Sequence, residues 1–314
     1  MLGAFRSALA TPDLRRKILF TLGIVVVFRF GAVLPSPGVS YVNIQQCLEQ
    51  VEGGANADLF SLINLFSGGA LLQLAVFALG IMPYITASII VQLLTVVIPR
   101  FDQLKKEGQS GQSKLTQYTR YLTIALAVLQ STGIVALAVR GGLFGTCPLP
   151  PIPDESVFNL AIIVTVMTAG TAVVMWLGEL ITERGIGNGM SLLIFCSIAA
   201  RIPTEGKNIL DINGALVFFF VCLFGLAIIA SVVFVEQGQR RIPVQYAKRM
   251  IGRRMYGGTS TYLPLKVNQA GVIPVIFGSS LLYLPQLALD FMRSDNPSKA
   301  FIWVERYLAN PAAP

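Results

Sequence analysis

The apolar residues of this chain fall in long blocks instead of at the spacing of a surface helix: Ile18 to Leu34, Leu71 to Ile98, Tyr121 to Val139, Phe158 to Leu177, Met190 to Ala200, Ala215 to Val235 and Gly271 to Leu289. Blocks of this kind are membrane-spanning helices, so the pattern predicts seven spans. The fifth is short and follows Gly185-Ile186-Gly187-Asn188-Gly189, which predicts an unwound or tilted start. The stretch from Leu59 to Ile98 holds no charged residue at all. As one helix it would be about 60 Å long, roughly twice a bilayer core. It must therefore break, and propensity puts the break at Ser67, Gly68 and Gly69, leaving a short amphipathic helix before and a spanning helix after. Gly80 and Pro83 weaken the spanning part, and polar Gln73, Thr86, Ser88 and Gln92 give it a face that meets a cavity or other helices.

Composition places the whole chain in the polytopic membrane class, since 54% of its 314 residues are hydrophobic, 13% are charged and the mean hydropathy is +0.67. The first block follows Arg15, Arg16 and Lys17 as a signal peptide would, but no small-residue cleavage site comes after it, so it reads as a retained span. Histidine is absent, and the four cysteines lie two in loops (Cys47, Cys147) and two in apolar blocks (Cys196, Cys222) without CxxC spacing. Metal sites and histidine-based catalysis drop out on those grounds.

Charge sets the orientation, because Lys and Arg stay cytoplasmic. With the N-terminus inside, the inner segments hold most of the 24 basic residues: Arg6, Arg15, Arg16, Lys17; Arg100, Lys105, Lys106, Lys114, Arg120; Arg184; and Arg240, Arg241, Lys248, Arg249, Arg253, Arg254, Lys266. The outer segments hold Arg140, Arg201, Lys207, Arg293, Lys299 and Arg306, while Arg29 lies inside the first span near its outer end, where it can snorkel. Seven spans leave the C-terminus outside, in an Asn310-Pro311-Ala312-Ala313-Pro314 tail without an anchor, the pattern of an interrupted chain.

A faint repeat points the same way. Gly80 to Ser88 (GIMPYITAS) in the second span matches Gly271 to Ser279 (GVIPVIFGS) in the seventh, and the two spans run in opposite directions. An inverted repeat of five spans pairs the second with the seventh, which leaves three spans missing; chance agreement between two Gly- and Pro-containing apolar segments is the other reading. The spans carry no Asp or Glu away from their ends, Glu179 and Glu183 lying just past the fourth, so the carboxylate that an ion-coupled transporter needs is lacking. No GxxxxGK[ST] occurs either, and any energy must come from a partner. The loop Glu236 to Ala270 is strongly basic and interleaved with Tyr246, Tyr256 and Tyr262. Charge alone favours a topology determinant or an anionic-lipid contact there, with a phosphate backbone or an acidic protein surface as the alternative.

Three long motifs, in order, resemble the bacterial SecY family, the central subunit of the Sec protein-conducting channel: FALGIMPYITASIIVQLL in the second span, WLGELITERGIGNGMSLLIF between the fourth and fifth, and VEQGQRRIPVQYAKRMIGRRMYGGTSTYLPLKVNQAGVIP from the basic loop into the seventh. The resemblance implies an all-α polytopic transmembrane helix bundle with the family's inverted repeat, truncated here after the seventh of ten spans. It divides the chain into a first half at 1–213, with a plug at about 59–70, and the start of a second half at 214–314, with the basic cytoplasmic loop at 236–270. It implies no enzyme activity and no cofactor, but translocation of unfolded polypeptide across, and laterally into, the bacterial cytoplasmic membrane.

By the same resemblance the plug and its hinge comprise Leu59, Phe60, Leu62, Ile63, Leu65, Phe66, Ser67, Gly68 and Gly69. Ile81, Ile85, Ile194 and Ile276 fall in a constricting ring, where branched apolar side chains gasket a moving chain yet deny water a continuous path. Gln92, Asn188 and Asn268 match a polar cluster at the lateral gate, a role compatible with ordinary interhelical hydrogen bonding. Arg240, Arg241, Lys248, Arg249, Arg253 and Arg254 would receive the ribosome, through rRNA and protein, or the SecA ATPase. The expected partners are those two, SecE and SecG subunits, signal sequences and nascent polypeptides, and membrane lipids. The rival reading is a secondary transporter with inverted repeats, which a carboxylate in the missing spans would revive.

Overall fold

The computed structural model of the chain describes residues 10–51, 67–139, 150–244, 249–251, 254–256 and 261–268. Within these, α1 (Pro12–Val33), α2 (Tyr41–Val51), α3 (Met82–Val97), α4 (Pro99–Lys106), α5 (Gln109–Val139), α6 (Val157–Arg184) and α7 (Gly189–Gln237) are followed by four short strands, β1 (Gln239–Val244), β2 (Arg249–Ile251), β3 (Arg254–Tyr256) and β4 (Thr261–Lys266). The chain divides into two compact units after Pro203.

In the first unit, α1 starts with Pro12 in its first turn, where a fixed φ and a missing N–H cost nothing. It buries one stripe, Thr21, Ile24, Phe28, Gly31 and Ala32, while Leu19, Leu22, Val26 and Phe30 stay exposed. An exposed face of that kind is what lipid, not water, would cover. Among the described residues, α5, α6 and α7 are each long and apolar enough to cross a membrane, and α3 with α4 passes the same test while bending by 101°. That bend has a local cause: Pro99 forces the preceding Ile98 into extended backbone, φ −101° and ψ 115°, which ends α3.

Two spans differ from the expectation. The second was read as Leu71 to Ile98, yet the helix begins only at Met82; Gly80 has φ 54° and Leu74 φ 46°, and Pro83 sits in the first turn, starting the helix where it was expected to interrupt one. The fifth was read as ending near Ala200, but helix continues through Pro203 and the polar residues after it, so that the fifth and sixth blocks share α7, parted at Gly214 with φ 82° and ψ 168°. Its entry is non-helical over Gly185 to Asn188, as expected, with Gly187 at φ 72°, and Asn188 Oδ1 accepts from the amides of Met190 at 3.0 Å and Ser191 at 3.3 Å, capping the helix that follows.

The non-helical stretch from Ser67 to Ile81 is the packing centre of this unit. Leu71, Leu74, Ala78 and Leu79 join Ile44, Cys47, Ala127, Ile134, Val135, Ile152, Ile163 and Met167 from α2, α5, the 150–156 segment and α6. Phe77 and Ile81 join Ile24, Phe28, Val174, Leu177, Ile181 and Leu193 from α1, α6 and α7. The Phe28 and Phe77 rings stack at 6.1 Å. Gly31 and Gly170 permit this closeness, because a β-carbon at the first would enter the Phe77 ring and one at the second would strike the Val76 carbonyl. Cys47, expected in a loop, lies buried on α2 and is disulfide-bonded, whereas Cys196 and Cys222 are free; Cys147 falls outside the described residues.

In the second unit, most α7 residues beyond Gly214 are exposed, among them Leu216, Phe219, Phe220, Phe224 and Phe234. Beyond the helix, β1 pairs antiparallel with β4 from Gln239↔Lys266 to Val244↔Thr261, and β2 pairs with β3 from Arg249↔Tyr256 to Ile251↔Arg254. These ribbons add a β arm to the described helices, which the pattern of long apolar blocks does not announce.

Candidate functional site

Backbone that leaves the helix inside a membrane protein must find its hydrogen bonds elsewhere. The stretch Ser67–Ile81 takes them from the end of α1 and the residues just after it: Ser36 N donates to Leu74 O at 3.1 Å, Val76 N to Leu34 O at 2.9 Å and Phe77 N to Gly31 O at 3.3 Å. Its own turns supply the rest, among them Leu74 N to Leu71 O at 3.0 Å and Gly80 N to Phe77 O at 2.9 Å. Leu71 N also donates to Ser67 Oγ at 3.1 Å, closing the turn that Gly68 (φ 69°) and Gly69 (φ 92°) make possible. Ser67, Gly68 and Gly69 are buried, and the rest of the expected plug, Leu59, Phe60, Leu62, Ile63, Leu65 and Phe66, lies outside the described residues.

Arg29 was expected to snorkel. Instead it is half-buried and donates from Nη1 to Gly68 O at 3.0 Å, so its charge is turned onto the glycine turn.

The structure brings three of the four expected ring residues into one apolar cluster. Ile81, 5% exposed, is a buried member of the cluster that also holds Phe77 and Leu193, and half-buried Ile85 and Ile194 pack against it. Ile276 lies outside the described residues. Each residue of the expected gate trio has a local partner of its own. Exposed Gln92 bonds within its own helix, Nε2 reaching Ser88 Oγ at 3.4 Å, and Asn188 serves as the α7 cap. In the second unit Asn268 Nδ2 donates to Glu236 Oε1 at 2.7 Å, which, with Val267 N to Gly238 O at 3.0 Å, buttons the base of the β arm.

Arm alternation divides its charges. Paired residues of an antiparallel ribbon share a face, so Ile242 with Leu263 and Arg240 with Leu265 lie on one side, while Arg241 with Pro264, Gln239 with Lys266 and Pro243 with Tyr262 lie on the other. Arg240 and Arg241, adjacent in sequence, therefore face opposite ways. Arg249 and Arg254 are placed by backbone only, on β2 and β3; Lys248 and Arg253 lie outside the described residues.

One polar feature was not anticipated as a pair. Arg120 of α5 and Glu179 of α6 form a two-point ion pair, Nε to Oε1 at 2.9 Å and Nη2 to Oε2 at 2.6 Å. Its signal was available, since Arg120 precedes the third block and Glu179 lies just past the fourth, and antiparallel neighbours put those ends side by side.

Comparison with known proteins follows from this geometry. Residues 75–311 match the SecY family model. The protein translocase subunit SecY of Mycobacterium tuberculosis (strain ATCC 25618 / H37Rv) is 67% identical, over 99% of this chain and 72% of its own length. Its counterpart in Streptomyces coelicolor is 61% identical over 100% of this chain and 72% of its length. Among solved structures, "The structure of a protein conducting channel" has a TM-score of 0.57 at 17% identity, and "Sec61 in the Canine ribosome-channel complex from the endoplasmic reticulum" has 0.56 at 17%. Each aligns over 87% of this chain, which spans 58% of the solved one. At that identity the likeness is one of fold.

Proposed function

The chain belongs to the SecY family, and from that premise we propose that it lines the path by which unfolded polypeptide crosses a bacterial cytoplasmic membrane or leaves sideways into it. Membership makes it a multi-pass membrane protein and a translocase channel subunit, not an enzyme. The observation that carries the reading is the buried, uncharged, non-helical stretch Ser67–Ile81 held between spanning helices, because such backbone persists in a membrane only where protein or a cavity surrounds it.

On this reading residues 59–66 are a plug hinged at Ser67–Gly69. Ile81, Ile85 and Ile194, together with Ile276, form the seal; their shared cluster supports that grouping for the three that are described. Ile276 would face Ile85 across the pore as its inverted-repeat counterpart. The N-terminus is cytoplasmic, 1–213 and 214–314 are the two halves, and Gln92, Asn188 and Asn268 contribute to a lateral gate. The basic arm, exposed along β1 and β4, receives a ribosome or a SecA-like ATPase that supplies the push, and SecE- and SecG-like subunits complete the assembly. The relative described as a ribosome-channel complex supports the first of those partners.

The test is Gly68→Leu with Gly69→Leu. Both residues need positive φ, which leucine resists, so the double variant should misplace the plug. In the complete channel, idle ion conductance in planar bilayers should rise; wild-type conductance would sink the plug.

A further inference from the structure

Two arginines from different helices converge on the turn from which the proposed plug hangs. Arg29 of α1 donates to Gly68 O at 3.0 Å. Arg201 of α7 comes up on the other glycine: a β-carbon built on Gly69 would lie 3.0 Å from its Nη1 and 3.6 Å from its Cδ. A β-carbon on Gly68 would meet Arg29 Nη1 at 3.3 Å and the Ser197 backbone oxygen at 3.2 Å. Both glycines are favoured by their positive φ, and the guanidinium groups leave little room for a side chain beside them. We propose that Arg29 and Arg201 form a clasp on this hinge, acting as positioning residues that hold the plug's root in the closed channel.

The physical case rests on cost. A charge within the apolar first span is expensive unless it meets a partner or water. Arg29 meets a carbonyl of a buried turn, a charge-assisted bond stronger than a neutral one, and the Gly68 carbonyl would lose that donor if the hinge swung away. Arg201 of α7 brings a second guanidinium beside Gly69 of the same turn, so two charges from elsewhere in the chain lie next to a hinge that carries none. Swinging the hinge therefore means breaking a specific contact.

This inference rests on the plug reading, and the experiment separates the two. Arg29→Gln, Arg201→Gln, their combination and Arg29→Lys are compared with the Gly68→Leu, Gly69→Leu double variant in the complete channel, by idle conductance per channel and by preprotein transport into vesicles. Each Gln variant should raise idle open probability by about tenfold and the combination by more. Transport should persist, and Arg29→Lys, which keeps a donor and a charge, should leak less than Arg29→Gln. A leaking glycine variant beside Gln variants at wild-type conductance overturns the clasp and leaves the plug standing. If the glycine variant is also silent, the plug reading falls and the clasp with it. Should Arg29→Gln fail to accumulate, Arg201→Gln decides alone, since wild-type conductance there overturns a two-sided clasp.

Discussion

Among the described residues, the stretch Ser67–Ile81 and the paired strands of the arm both leave the helix, and they do so by opposite means. The first is almost entirely buried, carries no charge, and borrows backbone partners from α1 and electrostatic ones from Arg29. The second is exposed along both described long strands, carries its own charge, and satisfies its backbone by pairing with itself. The contrast follows from the surroundings. Where water is absent, irregular backbone survives only if its own turns and neighbouring segments between them supply the partners; where water is present, a ribbon needs only its own ladder. The first is therefore sensitive to changes on other helices, and the second is sensitive mainly to its own charges.

Substitution can break that contrast. The largest effect is expected at Gly170, which lies on α6 yet governs Val76: Gly170→Leu sets a side chain against the Val76 carbonyl, and the chain should lose about 3 kcal/mol or more, read as loss of folded protein in a detergent thermal melt. Exposed Tyr262→Ala in the arm should shift the same melt by no more than about 0.5 kcal/mol. Equal effects would erase the distinction. Ile85→Asp comes next. At a lipid-facing midplane site the carboxylate would cost roughly 2.5–3.5 kcal/mol, whereas in a water-accessible seal it should leave folding intact and raise ion leak; the second outcome is expected, measured by melt and conductance together.

In the arm, Arg253→Glu with Arg254→Glu should weaken binding to a ribosome or a SecA-like ATPase several-fold, with a salt dependence that falls as charges are removed, and membrane insertion should survive. Arg241→Glu should cost more affinity than Arg240→Glu, because Arg241 shares its ribbon face with Lys266 while Arg240 stands with Leu265. The smallest effect is expected from Asn268→Ala, which removes the 2.7 Å bond to Glu236 and should loosen the base of the arm by about 1 kcal/mol, seen as faster amide exchange in β1 and β4.

The sequence was legible where a property is summed over many residues. Block hydropathy located α1, α5 and α6, and the charge excess singled out the arm. It was less legible where one residue decides. Leu71–Ile81 is as apolar as any span, and only the positive φ of Leu74 and Gly80 reveals that it turns. Pro83 reads the same in the sequence whether it breaks a helix, at a cost, or begins one, at none. Arg29 near a span end is compatible with snorkelling, and the carbonyl that turns it inward belongs to a residue far along the chain. In the arm, Pro243 and Pro264 and the density of charge conceal strands whose pairing is non-local. The ring residues Ile81, Ile85 and Ile194 were named through family likeness, since isoleucine in a span is ordinarily unremarked, and packing then set those three together.

The central claim is that a polypeptide passes between these isoleucines. A translocating chain stalled in the complete channel and carrying a photo-crosslinker measures this directly. Covalent labelling should map to Ile81, Ile85, Ile194 and Ile276 and disappear when the stalled chain is released. Labelling confined to lipid, with none at these four residues, would contradict the pore assignment.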